Sequence, residues 1–229
     1  MAKVFLDPGH GGEDPGAVGN GLQEKDINLS VALKIGEILK RHNIEVEYSR
    51  TTDVFIDLTP RANMANKRKA DIFVSIHCNS FDDASAQGLE TFHYTGSSKG
   101  KILATDIQNS LIDSKVYTKN RGVKSANFTV IAETTMPAAL VELAFISNVE
   151  DANILRNEQD ELAIAVAKGV LKNLGLTYVE KNEIDAPSPW AADAWDWAKE
   201  NGITDGSRPK EFATREEIIT MIYRAKEVK

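Results

Sequence analysis

The chain has 229 residues, 42% hydrophobic and 27% charged, enough for one large domain or a main domain with a small appendage. A formal net charge of −7 with scattered lysines argues against a nucleic-acid binder, and no apolar run approaches the roughly 20 residues of a membrane span. A lone cysteine, Cys78, excludes an intramolecular disulfide and a thiolate zinc cluster, so any metal must be held by imidazole and carboxylate. Cys78 itself reads as a free buried thiol. The N-terminus passes straight from Met1-Ala-Lys3 into the strand-like Val4-Phe-Leu6 without a signal-peptide pattern, so the chain is expected to be made in the cytoplasm.

Apolar runs alternate with amphipathic stretches, which predicts an α/β fold with a central, mostly parallel twisted sheet flanked by helices. In chain order the pattern gives a strand at Lys3 to Leu6, a loop rich in glycine, proline and acid at Asp7 to Gly16, and a helix from Lys25 to His42. A strand at Ile44 to Tyr48 precedes a helix at Thr59 to Lys69, opened by the Thr59 hydroxyl and Pro60. The basic stretch Arg61 to Lys69 reads as a solvated helix face. Strands follow at Asp71 to His77 and Leu89 to Tyr94, a helix at Gly100 to Ile112, strands at Phe128 to Ile131 and Ala139 to Leu143, and a helix at Glu158 to Leu174. Residues 177–188 have linker composition and divide a catalytic-sized domain, 1–176, from a small helical C-terminal module, 189–229. That module carries every tryptophan of the chain, Trp190, Trp195 and Trp197, and its helices are expected at Ala191 to Asn201 and Thr214 to Ala225. About 40 residues are too few to fold robustly without oligomerisation or outside support.

His77 ends an apolar strand, and His10 sits in a loop whose glycines and prolines hold the backbone in unusual conformations, so the two are candidate ligands of one metal. A catalytic zinc site needs three protein ligands and an open position, and Glu24, at the start of a helix, is the best placed third donor. Glu142 is a carboxylate inside an apolar strand, where a proton shuttle beside a metal is expected. Strand alternation puts Asn79 on the face of His77, toward substrate, and turns Cys78 away. Singly, each has a plainer reading: His10 as a loop hydrogen-bond donor, Glu24 as a helix N-terminal charge, Glu142 as a buried ion-pair partner. His42 and His93 read as structural, and spacing alone gives Asp14, Asp26, Asp53 and Glu90 no role.

These residues fall in the ordered motifs Leu6-Asp-Pro-Gly-His-Gly-Gly-Glu-Asp-Pro-Gly-Ala17, Glu24, Ser49-Arg-Thr-Thr-Asp53, Leu58 with Arg61 and Ala65-Asn66, Ser75-Ile-His-Cys-Asn79 and Val141-Glu-Leu-Ala-Phe-Ile-Ser-Asn148. Over about Ala2 to Leu176 the chain thereby resembles the zinc-dependent N-acetylmuramoyl-L-alanine amidases of type 3. The resemblance implies that His10, Glu24 and His77 bind Zn2+ and that Glu142 is catalytic. It implies cleavage of the amide between the lactyl group of N-acetylmuramic acid and L-alanine in peptidoglycan. Cys78 departs from the small residue common there, and the short connection between Tyr94 and Gly100 lacks the helix that plugs regulated members, which implies an open groove.

The segment from Ser188 to Gly206, with Phe212-Ala-Thr-Arg-Glu-Glu217, resembles a single S-layer homology repeat. That resemblance implies binding to a secondary cell-wall polymer, with Trp190, Trp195 and Arg215 as candidate contacts, or self-association through the module. The combined expectation is a lytic enzyme of Gram-positive walls, like a phage or prophage endolysin released with the help of a holin. The alternatives are a non-catalytic peptidoglycan-binding protein on the same fold and a zinc peptidase cutting within the stem peptide.

Overall fold

In the computed structural model, which describes residues 1–117, 119–180, 187–206 and 213–227, two units divide the chain at Met1–Tyr178 and Val179–Lys229. In the first unit the apolar runs pair into a six-stranded sheet of β1 (Lys3–Pro8), β4 (Glu45–Tyr48), β5 (Ile72–Asn79), β6 (Leu89–Tyr94), β7 (Asn120–Ala126) and β8 (Ala138–Phe145). Their spatial order is β4-β1-β5-β8-β6-β7, and every pair is parallel except β6 with β8. A short ribbon of β2 (Val18–Gly19) and β3 (Leu22–Gln23) stands apart from the sheet.

The period of two along each strand decides which face each residue serves. Val4, Leu6, Ile72, Val74 and Ile76 join the core with α1 (Glu24–Arg41), α3 (Ser98–Asp113) and α6 (Gln159–Asn173). The alternate residues Phe5, Phe73 and Leu140 pack under α2 (Leu58–Arg68) and α4 (Thr129–Ala132). Two residues further along the same rows stand Asp7, Ser75 and Glu142, and His77 follows Ser75. The second face therefore changes from apolar to polar at the carboxyl ends of the parallel strands, the usual place for ligand sites in open α/β sheets.

Most predicted elements form within a residue or two, but three readings need correction. Phe128 to Ile131 is no strand: Phe128 is the N-cap of the short helix α4, whose Val130 and Ile131 bury against the sheet, and the edge strand is β7 instead. The sequence Asn120-Arg-Gly-Val-Lys-Ser-Ala126 lacks apolar alternation because this edge strand is mostly half-buried or exposed. Thr59 does not cap α2, which starts at Leu58 after Asp57; Thr59 and Pro60 lie inside the first turn, where no backbone donor is needed. Arg61 is not on a solvated face but is 2% exposed. Helix α5 (Val149–Asn157) was not anticipated; the Asn148 side chain caps it by accepting from the Asp151 amide.

The second unit contains a 3-10 turn at Pro189–Ala191, α7 (Ala192–Glu200) and α8 (Arg215–Glu227). A reciprocal capping box opens α8: the Thr214 amide donates to Glu217 Oε2 at 2.7 Å and the Glu217 amide to Thr214 Oγ1 at 3.1 Å. Among its described residues Ile203 is buried, while Trp190, Ile219 and Tyr223 are exposed. Residues 181–186 of the expected linker and Phe212 of the expected repeat lie outside the described residues.

Helix α6 approaches α3 at Gly169, where an added Cβ would lie 2.5 Å from Ile107 Cα. Gly169→Ala is expected to lose about 1–3 kcal/mol of stability through overpacking, although alanine is the better helix former by ~1 kcal/mol. Urea unfolding reads the outcome, and a gain in stability would contradict this close approach.

Candidate metal centre

Beyond β1 the chain turns through a loop in which His10 (φ 60°), Gly11 and Gly12 all have positive φ. For a side chain as bulky as histidine that conformation is strained by roughly 1–2 kcal/mol, so something must hold it. Two arginines do. Arg61 donates through Nη2 to the His10 carbonyl at 2.7 Å and through Nη1 to the Pro8 carbonyl at 2.7 Å and to Asp7 Oδ1 at 2.9 Å. Arg50 donates to the carbonyls of Pro8 (3.0 Å), Gly9 (2.9 Å) and Lys25 (2.8 Å), tying the loop to the start of α1. Asp7, fully buried, also accepts from the hydroxyls of Ser49 at 2.6 Å and Ser75 at 2.8 Å. A second strap runs over the loop, where Asp53 accepts from the Gly12 amide at 2.7 Å and from Lys25 Nζ at 2.7 Å.

These anchors bring His10, Glu24 and His77 together, with one donor atom of each within 4.8 Å of the others. Glu24 Oε1 accepts from His77 Nδ1 at 2.9 Å and lies 3.2 Å from His10 Nε2. The same oxygen accepts from the Cys78 amide at 3.0 Å and Asn28 Nδ2 at 3.2 Å, while Oε2 accepts from the Ala17 amide at 2.8 Å. His10 Nδ1 donates to Asp14 Oδ2 at 2.7 Å, which fixes the tautomer that leaves Nε2 facing Glu24. Two glycines are required by the site itself. A Cβ at Gly9 would lie 2.2 Å from the His77 ring, and one at Gly16 would lie 2.6 Å from Glu24 Oε2.

Glu142 stands in register beside His77 on β8, and Glu90 in register on its other side on β6. Glu142 Oε2 is buried without a hydrogen-bond partner. Glu90, by contrast, is saturated: Oε1 accepts from Asn79 Nδ2 at 2.7 Å, and Oε2 accepts from Arg121 Nε at 2.8 Å and from Lys124 Nζ. A cavity of about 280 Å³ opens beside the histidines, lined also by Phe55, Leu58 and Val130. Cys78 turns its Sγ away, toward Asn28 Oδ1.

Residues 4–172 match the N-acetylmuramoyl-L-alanine amidase family. The chain belongs to that family. Over 172 residues it is 46% identical to YqiI, an uncharacterized protein of Bacillus subtilis, covering 73% of this chain and 82% of YqiI. It is 41% identical over 172 residues to the N-acetylmuramoyl-L-alanine amidase LytC of Bacillus subtilis, covering 73% of this chain but 34% of LytC. Among solved structures, N-acetylmuramoyl-L-alanine amidase AmiC2 of Nostoc punctiforme matches with a TM-score of 0.73 at 38% identity, over 76% of this chain and 97% of that one. Peptidoglycan is accordingly the substrate class, and the central mostly parallel sheet is the family's fold.

In this amidase domain the charges of the site depend on one another. Burial pulls the His10 pKa down, but its contacts with Glu24 and Asp14 outweigh that and raise it to about 9. His77 is raised in the same way, with burial opposed by Glu24. Burial alone would push Glu24 up, yet the two histidines hold it well below the usual carboxylate range. Burial raises Glu142 to about 7, the nearby His77 opposing and the carboxylates of Glu24 and Glu90 adding to the rise. Glu90 is held below its ordinary value because Lys124 and Arg121 overcome its burial.

The sequence reading brought His10, Glu24, His77 and Glu142 to one place but assigned nothing to Asp14, Asp53 or Glu90, and misplaced Arg61. Arg61 carried a signal, since it shares the buried face of α2 with Ala62 and Ala65. Asn79, half-buried, gives one Nδ2 proton to Glu90 and accepts at Oδ1 from the Ser80 amide. Asn66, quoted in the family motif, fastens the chain between α4 and β8 through the Glu133 carbonyl and Thr135.

The linkage of these groups sets how the metal-free protein responds to pH. The raised His10 contributes stability fully below pH 6.5 and loses it as pH climbs toward about 9, and His77, raised for the same reason, acts in the same direction. The raised Glu142 acts in the same direction from pH 4.5 to about 7, while the depressed Glu24 contributes above pH 4.5. Thermal unfolding of the metal-free protein is expected at a lower Tm at pH 9 than at pH 6; a Tm that rises over this interval would refute the assignment.

Proposed function

We propose that this domain is a zinc-dependent hydrolase of the amide between N-acetylmuramic acid and the L-alanine of the stem peptide. The observation that carries this reading is the unpartnered oxygen of Glu142 beside the cluster of His10, Glu24 and His77. The donor set fits zinc: two imidazole nitrogens face one carboxylate, so three lone pairs converge once the imidazoles give up their protons. Zinc held there would supply a Lewis acid that polarises the scissile carbonyl and acidifies water.

The residues of the chain do the rest. Asp14 holds the His10 ring in the ligating tautomer, and the arginine anchors keep its backbone in place. Glu142, with a pKa near neutrality, takes the proton released by the attacking water and returns it to the leaving nitrogen of L-alanine. The N–H of Asn79 Nδ2 not given to Glu90 is available to a substrate carbonyl. Phe55, Leu58 and Val130 form an apolar wall for the glycan or its lactyl methyl.

We further propose a lytic role on Gram-positive wall, with the second unit as a polymer-binding or self-associating module. Trp190 and Arg215 are exposed and open to contact, whereas Trp195 is half-buried and donates its indole N–H to the Gly206 carbonyl at 3.4 Å.

Digestion of purified Gram-positive peptidoglycan by native, chelated and zinc-restored protein tests the chemistry. Zinc-dependent release of intact stem peptides with free L-alanine amino termini is expected. Cuts inside the stem peptide would favour the peptidase, and binding without cleavage the non-catalytic reading. Glu142→Gln is expected to retain zinc by metal analysis and to lose about 10²- to 10⁴-fold in kcat. Removing the chain after Pro187 should preserve cleavage of soluble muropeptides and reduce co-sedimentation with wall; unchanged sedimentation would leave the module without a targeting role.

A further inference from the structure

At the far edge of the site two cations share one carboxylate. Arg121 Nε and Lys124 Nζ both donate to Glu90 Oε2, and Asn79 occupies Oε1. The group therefore keeps one net positive charge in a chain whose formal charge is −7. Arg121 Nη2 and the remaining ammonium protons of Lys124 have no partner among the described residues. Both side chains reach the surface, at 28% and 40% relative exposure. They are also held in place from below: the Arg121 guanidinium lies 4.8 Å over the Phe145 ring and Lys124 Nζ 5.9 Å over the Phe92 ring. Surface cations fixed by a buried carboxylate and two rings, yet with donors to spare, form a preorganised anion site.

We infer that Arg121 and Lys124 bind the α-carboxylate of the second stem-peptide residue, a D-glutamate linked through its γ-carboxyl. This rests on the amidase reading above. The register supports the reach. Glu142 pairs with Glu90 across β8 and β6, and Phe92 pairs with Lys124 across β6 and β7. Strands lie about 4.8 Å apart, so β7 is roughly 10 Å from Glu142. Two residues of extended peptide span about 7 Å from the scissile amide, and the long side chains cover the remainder. The apolar cavity is lined by both histidines with Phe55 and Leu58 and by no residue of β6 or β7, which leaves the Glu90 side for the peptide. Walls differ in whether this α-carboxyl is free or amidated, so the subsite discriminates between them.

The test compares kcat/KM of the zinc-loaded full chain on two muramoyl peptides that differ only in having D-glutamate or D-isoglutamine at the second position. The wild type is expected to favour the free carboxylate about tenfold or more, the scale of a charge-assisted hydrogen bond. Lys124→Gln should shrink that ratio toward unity, chiefly through KM on the carboxylate substrate, and Lys124→Arg should restore it. Equal rates on both substrates in the wild type, or an equal loss on both in Lys124→Gln, would overturn the inference while leaving the amidase reading intact. Cleavage of neither substrate would remove the amidase reading and this inference together.

Discussion

One buried oxygen, Glu24 Oε1, ties the site together. It receives the His77 ring, the Cys78 amide and the Asn28 side chain, and it faces His10 Nε2. The groups it joins come from the loop after β1, the first turn of α1 and the end of β5, segments also fastened to one another by Arg50 and Asp53. Gly9 and Gly16 let the backbone come close enough for both imidazoles to reach it. A buried carboxylate is tolerable only when so many donors surround it, and the same crowding would make it a fixed rather than a mobile ligand for the proposed metal.

Beneath that oxygen lies a layer of buried cations that the chemistry does not touch. Arg50 and Arg61 take up the carbonyls of Pro8, at the end of β1, and of Gly9 and His10 in the loop beyond it, where neither helix nor sheet supplies a donor. Asp7 supplies the countercharge to Arg61 from the end of the Phe5 row, on the same face of the sheet. The strain of His10 is thus held by buried, fully hydrogen-bonded groups at the end of the sheet, and the apolar sheet passes directly into the polar floor of the site.

The central strands were legible because burial on both faces demands continuous apolar runs, as in Ile72-Phe-Val-Ser-Ile76. The long helices α1, α3 and α6 were legible from their 3.6-residue period. Strand β7 was not, since an edge strand carrying Arg121 and Lys124 serves the site rather than the core and shows no alternation. Phe128 to Ile131 misled because four apolar residues fit a buried helical turn as well as a strand. His10, His77 and Glu142 stood out as residues out of place in their surroundings. The roles of Arg61 and Glu90 did not, because their partners, a loop carbonyl in one case and a neighbouring strand in the other, exist only after folding.

The two imidazoles and Glu24 are proposed to act as one donor set for zinc. X-ray absorption at the zinc edge of the zinc-loaded protein addresses it most directly. A shell of two imidazole nitrogens with oxygen ligands and no sulfur is expected. A sulfur ligand, or a shell with fewer than two imidazoles, would contradict it.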